Sequence, residues 1–120
     1  MRRNEYLEWL CERLAPLGPI RAKAMFGGFG LYAGDLFFAI VADEVLYLKA
    51  DALSVAEFEQ AGVAPFTYPM KDGRLQSMRY YPVPDEAIDD DQAFLRWARK
   101  GLEAALRAPR KAAKPRRGRQ

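Results

Sequence analysis

Near the N-terminus, apolar residues recur with the period of a helix. Within NEYLEWLCERLAPLG they stand at Leu7, Leu10, Cys11 and Leu14, which are the i, i+3, i+4 and i+7 positions of one helical face. A proline and a glycine follow the last of them, and both residue types are typical of helix ends. This pattern predicts an amphipathic helix that buries one face.

The apolar positions lose this helical period after Ile20. Four short runs rich in aromatic and branched residues follow as far as Ala50, namely IRAKAMF, GFGLYAG, LFFAIVA and EVLYLKA. Glycine and acidic residues separate the runs, and each run has the length of one strand. We predict three or four antiparallel strands in this region.

Two further helices are predicted in the second half of the chain. Ser54 and Glu57 have the spacing of a capping box, and Gly62 stands where a helix C-terminal glycine is expected. Three consecutive acids, Asp89 to Asp91, offer negative charge to the start of a longer helix. The apolar face of that helix is formed by Phe94, Leu95, Ala98, Leu102, Ala105 and Leu106.

Between these helices, APFTYPM and LQSMRYYPVP flank a turn at Lys71-Asp72-Gly73 and predict two more strands. The order is therefore helix, antiparallel strands, helix, strands, helix, which defines an α+β fold. At 120 residues the chain has the length of about one domain. We assign residues 1–107 to a single α+β domain.

Charge is divided unevenly along the chain. Residues 107–120 carry seven basic residues and no acid, whereas residues 1–106 carry all 16 acids and 12 basic residues, a net charge of −4. Dense like charge without aromatic residues predicts a disordered tail over residues 108–120. Its basic residues are candidates for nonspecific nucleic-acid contacts, the alternative being a solubilising extension: Arg107, Arg110, Lys111, Lys114, Arg116, Arg117 and Arg119.

The composition excludes several kinds of catalytic site. The chain contains no histidine and one cysteine, Cys11, which excludes Ser-His-Asp and Cys-His catalysis and histidine metal sites. We attribute Asp89 to Asp91 to helix capping and expect no metal, cofactor or catalytic residues. An enzyme using Asp, Lys or Tyr as acid or base would need a paired site that the sequence does not identify. No apolar run approaches the length of a membrane span, and we expect a cytoplasmic protein without a membrane partner.

The stretch MFGGFGLYAG contains the G-x-G-x-x-[G/A] pattern of dinucleotide-binding loops. In those loops the glycines lead into a helix whose N-terminus binds the pyrophosphate. Here β-forming residues follow Gly30, so that helix cannot form. We therefore interpret Gly27, Gly28 and Gly30 as a structural glycine turn between paired β-segments.

Aromatic and basic residues also mix on the predicted strands, as in surfaces that bind single-stranded nucleic acid. These residues are Tyr32, Tyr47, Lys49, Arg79, Tyr80 and Tyr81. Because successive strand residues face opposite sides, we expect the set to be divided between the two faces of the sheet, as Tyr80 and Tyr81 must be.

Several of these segments, in order, resemble the TfoX/Sxy N-terminal domain over about residues 3 to 107. The resemblance rests on Met25-Phe26-Gly27-Gly28, Gly30-Leu31-Tyr32, Leu46-Tyr47-Leu48-Lys49, Tyr80-Tyr81 and Pro84. It implies a compact α+β domain from a family of competence regulators that act in bacterial transcription alongside the cAMP receptor protein. It also implies a non-enzymatic role, and we expect a stand-alone N-terminal domain.

Taken together, these observations favour a regulatory interaction domain. Its partner would be a protein, such as the transcription machinery or a regulator like the cAMP receptor protein, or a second copy in a homodimer. The basic tail would add nonspecific attraction to DNA. The alternative is a small-ligand-binding module with a pocket between the sheet and a helix near the glycines.

Overall fold

The structure, a computed structural model, describes residues 5–25 and 28–108. Its helices are α1 (Glu5–Leu14), α2 (Val55–Gln60), α3 (Asp85–Ile88) and α4 (Asp91–Arg107), with a 3₁₀ turn at Ala15–Leu17 after α1. Its strands are β1 (Ile20–Met25), β2 (Gly28–Ala33), β3 (Leu36–Ala42), β4 (Val45–Lys49), β5 (Thr67–Pro69), β6 (Leu75–Ser77) and β7 (Tyr80–Pro82). The predicted α+β class is confirmed.

Five strands form an antiparallel sheet in the order β1-β2-β3-β4-β7. The four strands predicted between Ile20 and Ala50 pair as consecutive hairpins, and β7 adds to the far side of β4. Strands β5 and β6 form a separate two-stranded sheet around the predicted turn, where Gly73 has a φ of +90°. The sheet thus brings chain segments from both halves of the sequence together.

All four helices contribute to one buried cluster on one side of this sheet, which we call the helix-covered face. Leu10 and Leu14 of α1 pack there with Leu31, Phe38 and Leu48 of the strands. The helix α4 lies across β3 and β4, and its apolar face supplies Phe94, Ala98 and Ala105. The opposite side of the sheet, the open face, carries Arg21, Tyr32, Phe37, Lys49 and Tyr80.

A glycine in α4 sets how closely the helix approaches the sheet. A Cβ placed on Gly101 would lie 3.1 Å from the carbonyl oxygen of Phe38 and 3.2 Å from the Cβ of Leu48. These distances are tighter than ordinary van der Waals contact, so a larger residue would push the helix away. The absence of a side chain therefore allows α4 to rest directly on β3 and β4.

A β-bulge assigns two neighbouring phenylalanines to opposite faces. Leu31 pairs with Ala39 and Tyr32 pairs with Phe37, which leaves Phe38 as the extra residue of β3. Phe38 joins the helix-covered cluster, whereas the ring of Phe37 stacks with Tyr32 on the open face. Strict alternation would not have predicted this placement.

The strand predicted across LQSMRYYPVP is broken, and this part of the prediction is wrong. Its first part is β6, and its last part is β7 in the other sheet. The chain bends where the Tyr80 amide donates to the Met78 carbonyl, and the Arg79 carbonyl accepts from Ala50. The change of partner from β5 to β4 requires this bend.

The helix ends agree with the sequence except at the start of α2. The Asp90 side chain accepts hydrogen bonds from the amides of Gln92 and Ala93, as expected for a helix start. Gly62 follows α2 with a φ of +82°, as expected for a helix C-terminus.

The predicted capping box at α2 is not formed. Ser54 makes no side-chain cap, and Asp51 accepts hydrogen bonds from the Leu53 and Ser54 amides instead. Glu57 pairs with Lys100 of α4, so its carboxylate is engaged away from the start of α2.

Candidate interaction groove

The space beside the described glycines of the apparent dinucleotide motif is filled by other atoms of the protein. Gly28 and Gly30 lie inside β2, and Gly27 lies outside the described residues. A Cβ on Gly28 would overlap the Val41 carbonyl oxygen, and one on Gly30 would lie 2.6 Å from the Met25 methyl carbon. A strand and a hairpin follow, so these glycines do not precede a helix that could bind a pyrophosphate.

Of the seven basic residues assigned to nucleic-acid contact, the structure describes Arg107. It lies in the last turn of α4, and its guanidinium donates two hydrogen bonds to the Asp51 carboxylate, at 2.8 and 3.0 Å. This hydrogen bonding holds the pKa of Asp51 at about 2. The other six, Arg110, Lys111, Lys114, Arg116, Arg117 and Arg119, lie outside the described residues, and their role stays a prediction.

The open face contains a row of stacked side chains that crosses the sheet. The Arg21 guanidinium lies 4.7 Å from the centre of the Tyr32 ring, which stacks on Phe37 at 5.1 Å. The Phe37 ring lies 6.0 Å from Tyr80, and the Lys49 amine lies 5.5 Å from Tyr80 on its other flank. The split of Tyr80 and Tyr81 is confirmed, because Tyr81 joins the helix-covered cluster.

The predicted division of these aromatic and basic residues between the two faces of the sheet is wrong for four of them. Tyr32, Tyr47, Lys49 and Tyr80 share the open face, because their strands pair in register. The Tyr32 ring nevertheless has Arg21 and Phe37 as neighbours, and burial raises the pKa of Tyr80 to about 12. Rings that already contact one another offer few free surfaces for stacked bases.

A different surface combines a cavity with exposed apolar side chains. A partly enclosed cavity of about 260 Å³ opens between α1, α3 and the turn that joins β3 to β4. We call it the Trp9 groove. Its apolar lining is formed by Tyr6, Trp9, Leu10, Val45, Leu46, Pro82, Val83, Ile88 and Phe94.

Large apolar side chains at the mouth of the Trp9 groove remain accessible. Trp9 is 46% exposed, Ile88 is 38% exposed and Val45 is 37% exposed. A second, shallower hollow continues past Trp9 and Ile88 toward Pro16 and Leu95. Apolar side chains therefore extend along more than one turn of α1, interspersed with charged ones, which is a feature of docking sites for other macromolecules.

One cation fixes the wall of the Trp9 groove. The Arg13 guanidinium lies 3.9 Å from the centre of the Phe94 ring and 5.2 Å from that of Trp9. It also donates to the Asp91 carboxylate at 3.1 Å, and its side chain is only 12% exposed. Arg13 therefore joins α1 to the start of α4 and orients the Trp9 ring.

Acidic side chains surround this apolar surface. Glu44 and Asp85 line the Trp9 groove, and Glu12 and Asp89 line its extension. Burial and, to a smaller degree, the Glu44 carboxylate raise the pKa of the Tyr6 phenol, while Arg13 opposes them. The site thus combines an apolar floor with a negative rim.

Sequence reasoning did not find this site, because its parts come from α1, the β3–β4 turn and α3. One signal was available in the sequence. Trp9 lies off the face marked by Leu7, Leu10, Cys11 and Leu14, so a helix that buries that face leaves a tryptophan at its border. Exposed tryptophan is frequent at binding sites.

Neither a metal-binding cluster nor a membrane-spanning helix is found in the described residues. Within residues 5–25 and 28–108, the acidic and cysteine side chains form no group of three or more that is arranged to hold a metal ion. No helix in the described part of the chain combines the length and the apolar character needed to cross a bilayer.

The sequence pattern of the TfoX N-terminal domain matches residues 12–105. The chain belongs to the TfoX N-terminal domain family. The match runs from α1 to the last turns of α4 and therefore includes the whole sheet. The resemblance noted from the sequence is thereby confirmed.

Three relatives from bacteria share part of this domain. Protein Sxy of Escherichia coli K12 is 33% identical over 96 residues, which are 80% of this chain and 46% of that protein. DNA transformation protein TfoX1 of Aliivibrio fischeri is 32% identical over 69 residues, 58% of this chain and 32% of that protein. DNA transformation protein TfoX of Haemophilus influenzae is 27% identical over 88 residues, which are 72% of this chain and 41% of that protein. The chain spans less than half the length of each of these relatives.

Proposed function

We propose that this domain is a non-enzymatic regulatory module that acts in the control of DNA transformation by binding a protein partner. Family membership supports the regulatory part, since two relatives carry the name DNA transformation protein. A component of the transcription machinery, or a regulator of the cAMP receptor protein type, is the class of partner that the family resemblance implies. The partner binds in the Trp9 groove.

The observation that carries this proposal is the exposure of Trp9 beside a partly enclosed apolar cavity. Tryptophan is enriched among the residues that contribute most to protein–protein affinity, and such residues lie next to pockets that exclude water. Arg13 holds the indole ring from one side, so little side-chain freedom is lost when a partner covers it. A pre-oriented anchor of this kind suits a protein interface.

The size of the cavity favours a protein side chain over a metabolite. The enclosed part of the site, about 260 Å³, is smaller than the roughly 300 to 1,000 Å³ of typical small-molecule sites, and the adjoining hollow is shallower and more open. The cavity is also open toward a longer apolar surface, which a small ligand would leave uncovered. A protein segment would fill the cavity and cover that surface together.

The proposal is tested by replacing Trp9→Ala in the chromosomal gene of the source bacterium. We expect transcripts of DNA-uptake genes and the frequency of transformation to change as they do when the gene is deleted. Leu75→Ser is the matched control, because Leu75 is 68% exposed but lies on the β5–β6 hairpin. A deletion without any effect on transformation would contradict the regulatory role, and equal effects of both substitutions would contradict the assignment to the groove.

The basic residues after α4 supply a second part of the proposal, nonspecific attraction to DNA. Residues 109–120 carry six basic residues, whereas Arg107 is already engaged by Asp51. Full neutralisation of six phosphates would give a slope of about −5 in log affinity against log salt. We expect deletion of residues 109–120 to abolish this slope in fluorescence anisotropy with duplex DNA, and an unchanged slope would contradict the attraction.

A further inference from the structure

The charged side chains around the Trp9 groove are mostly acidic. Five carboxylates line the groove and its extension, and four of them, Glu12, Glu44, Asp85 and Asp89, have no ion-pair partner among the described residues. The cation of the groove, Arg13, is paired with Asp91 and has a mostly buried side chain. A partner that covers this surface therefore meets uncompensated negative charge at its edge.

The Glu44 carboxylate is held on this rim by a strained backbone. Asp43 and Glu44 form the two-residue turn between β3 and β4, and both have left-handed conformations, with φ values of +52° and +59°. Glycine occupies such positions at lower cost because it has no Cβ to be crowded there, and asparagine does so because its short side chain can hydrogen-bond to the local backbone. Strain of this kind is found where a side chain serves binding.

We propose that the Trp9 groove recognises a partner segment that inserts one large apolar side chain and flanks it with lysine or arginine. This inference rests on the proposed function, since it names the chemistry of the partner bound at the same site. The apolar side chain fills the cavity beside Trp9. The flanking cations lie opposite Glu44 and Asp85 on one side and Glu12 and Asp89 on the other.

The chain's own basic segment does not meet both requirements. Residues 109–120, PRKAAKPRRGRQ, carry cations but no aromatic or large aliphatic side chain that would fill the cavity. A second copy of the domain is also disfavoured, because residues 1–106 carry a net charge of −4 and would oppose an acidic rim. A basic, apolar segment of a different protein is the occupant that fits.

The experiment is a selection of random 12-residue peptides displayed on phage against the full-length chain. We expect enriched peptides to contain a large apolar residue with lysine or arginine within three positions. Their binding should fall at least tenfold with Trp9→Ala, because that change removes the main apolar anchor. Isothermal titration of the synthetic peptides gives the dissociation constants.

Two neighbouring substitutions in one turn separate the rim charge from the strain. Both Glu44→Gly and Asp43→Gly relieve a left-handed side chain, so each should raise the melting temperature by about 2 to 5 °C. Asp43 faces a different hollow, beside Tyr47 and Phe66. Only Glu44→Gly should weaken the basic peptides, by about fivefold, as expected for a charge at an interface rim.

Each outcome has a defined meaning. Selected peptides that need Trp9 but are acidic or uncharged would overturn this inference and leave the proposed function intact. Equal peptide affinity for the Glu44→Gly and Asp43→Gly variants would also overturn it. An empty selection, or one in which no peptide depends on Trp9, would overturn both the inference and the assignment of the partner site.

Discussion

On the helix-covered face of the sheet, Phe38 and Leu48 are completely buried beneath α4, whereas on the open face Phe37 lies half-buried between Tyr32 and Tyr80. Helices from other parts of the chain shield the helix-covered face from water. The open face reduces its contact with water through the stacking of side chains from neighbouring strands. Adjacent residues of one strand are therefore expected to contribute unequally to stability.

The largest expected effect comes from the two phenylalanines that the β-bulge separates. Phe38→Ala should lower the free energy of unfolding by about 3 to 5 kcal/mol, because it leaves a cavity under α4. Phe37→Ala should cost only about 1 to 2 kcal/mol, because its ring is partly solvated already. Urea denaturation of both variants measures the difference, and equal losses would contradict the distinction between the faces.

The next largest effect is expected at the glycines of β2, where neighbouring atoms leave no room for a side chain. Gly28→Ala should cost about 2 to 3 kcal/mol, because its Cβ would meet the Val41 backbone carbonyl. Gly30→Ala should cost about 1 kcal/mol, because the Met25 side chain that it meets can move aside. Thermal unfolding should show the larger loss for Gly28→Ala. The reverse order would show that the β3 backbone moves aside more easily than the Met25 side chain.

Two arginines extend the comparison to cation–aromatic contacts. Arg13→Ala should cost about 2 kcal/mol, because this guanidinium is largely buried over Phe94. Arg21→Ala should cost about 0.5 kcal/mol, since Arg21 covers Tyr32 from an exposed position on the open face. Chemical denaturation at two salt concentrations measures both values. A larger loss for Arg21→Ala would contradict the prediction that the buried arginine contributes more to stability than the one on the open face.

The smallest effect concerns the link between α4 and the segment after β4. Asp51→Asn should lower the free energy of unfolding only slightly at neutral pH, because Arg107 loses a charged acceptor but the pair is exposed to water. The folded pKa of about 2 lies below the ordinary value of 3.8, so this contribution is complete above about pH 5. It is lost as the pH falls toward 2. Unfolding curves of the two proteins should therefore converge between pH 5 and pH 2, and a constant difference would contradict the ion pair.

Much of this fold follows from local periodicity. The apolar stripe of α1, the four strands after Ile20 and the charged start of α4 are all visible in the sequence, because each depends on residues close together in the chain. The bulge at Phe38 and the bend at Met78 are not, since they arise when strands meet distant partners. Secondary structure was therefore more predictable than its pairing.

The candidate site was beyond sequence reasoning for the same reason. Trp9, Glu44 and Ile88 belong to three separate segments, and only the folded chain brings them to one cavity. The glycines around Gly28 attracted attention because their spacing resembles a known motif. Their space is filled by Val41, Met25 and Phe37, which no spacing pattern can show.

The helix α4 also has a mechanical consequence. It begins at Asp91, beside the Trp9 groove, and ends at Arg107, which is tied to Asp51. Its 17 residues span about 25 Å at 1.5 Å per residue. A protein seated in the groove would therefore lie about 25 Å from the Arg107–Asp51 ion pair at the other end of the helix.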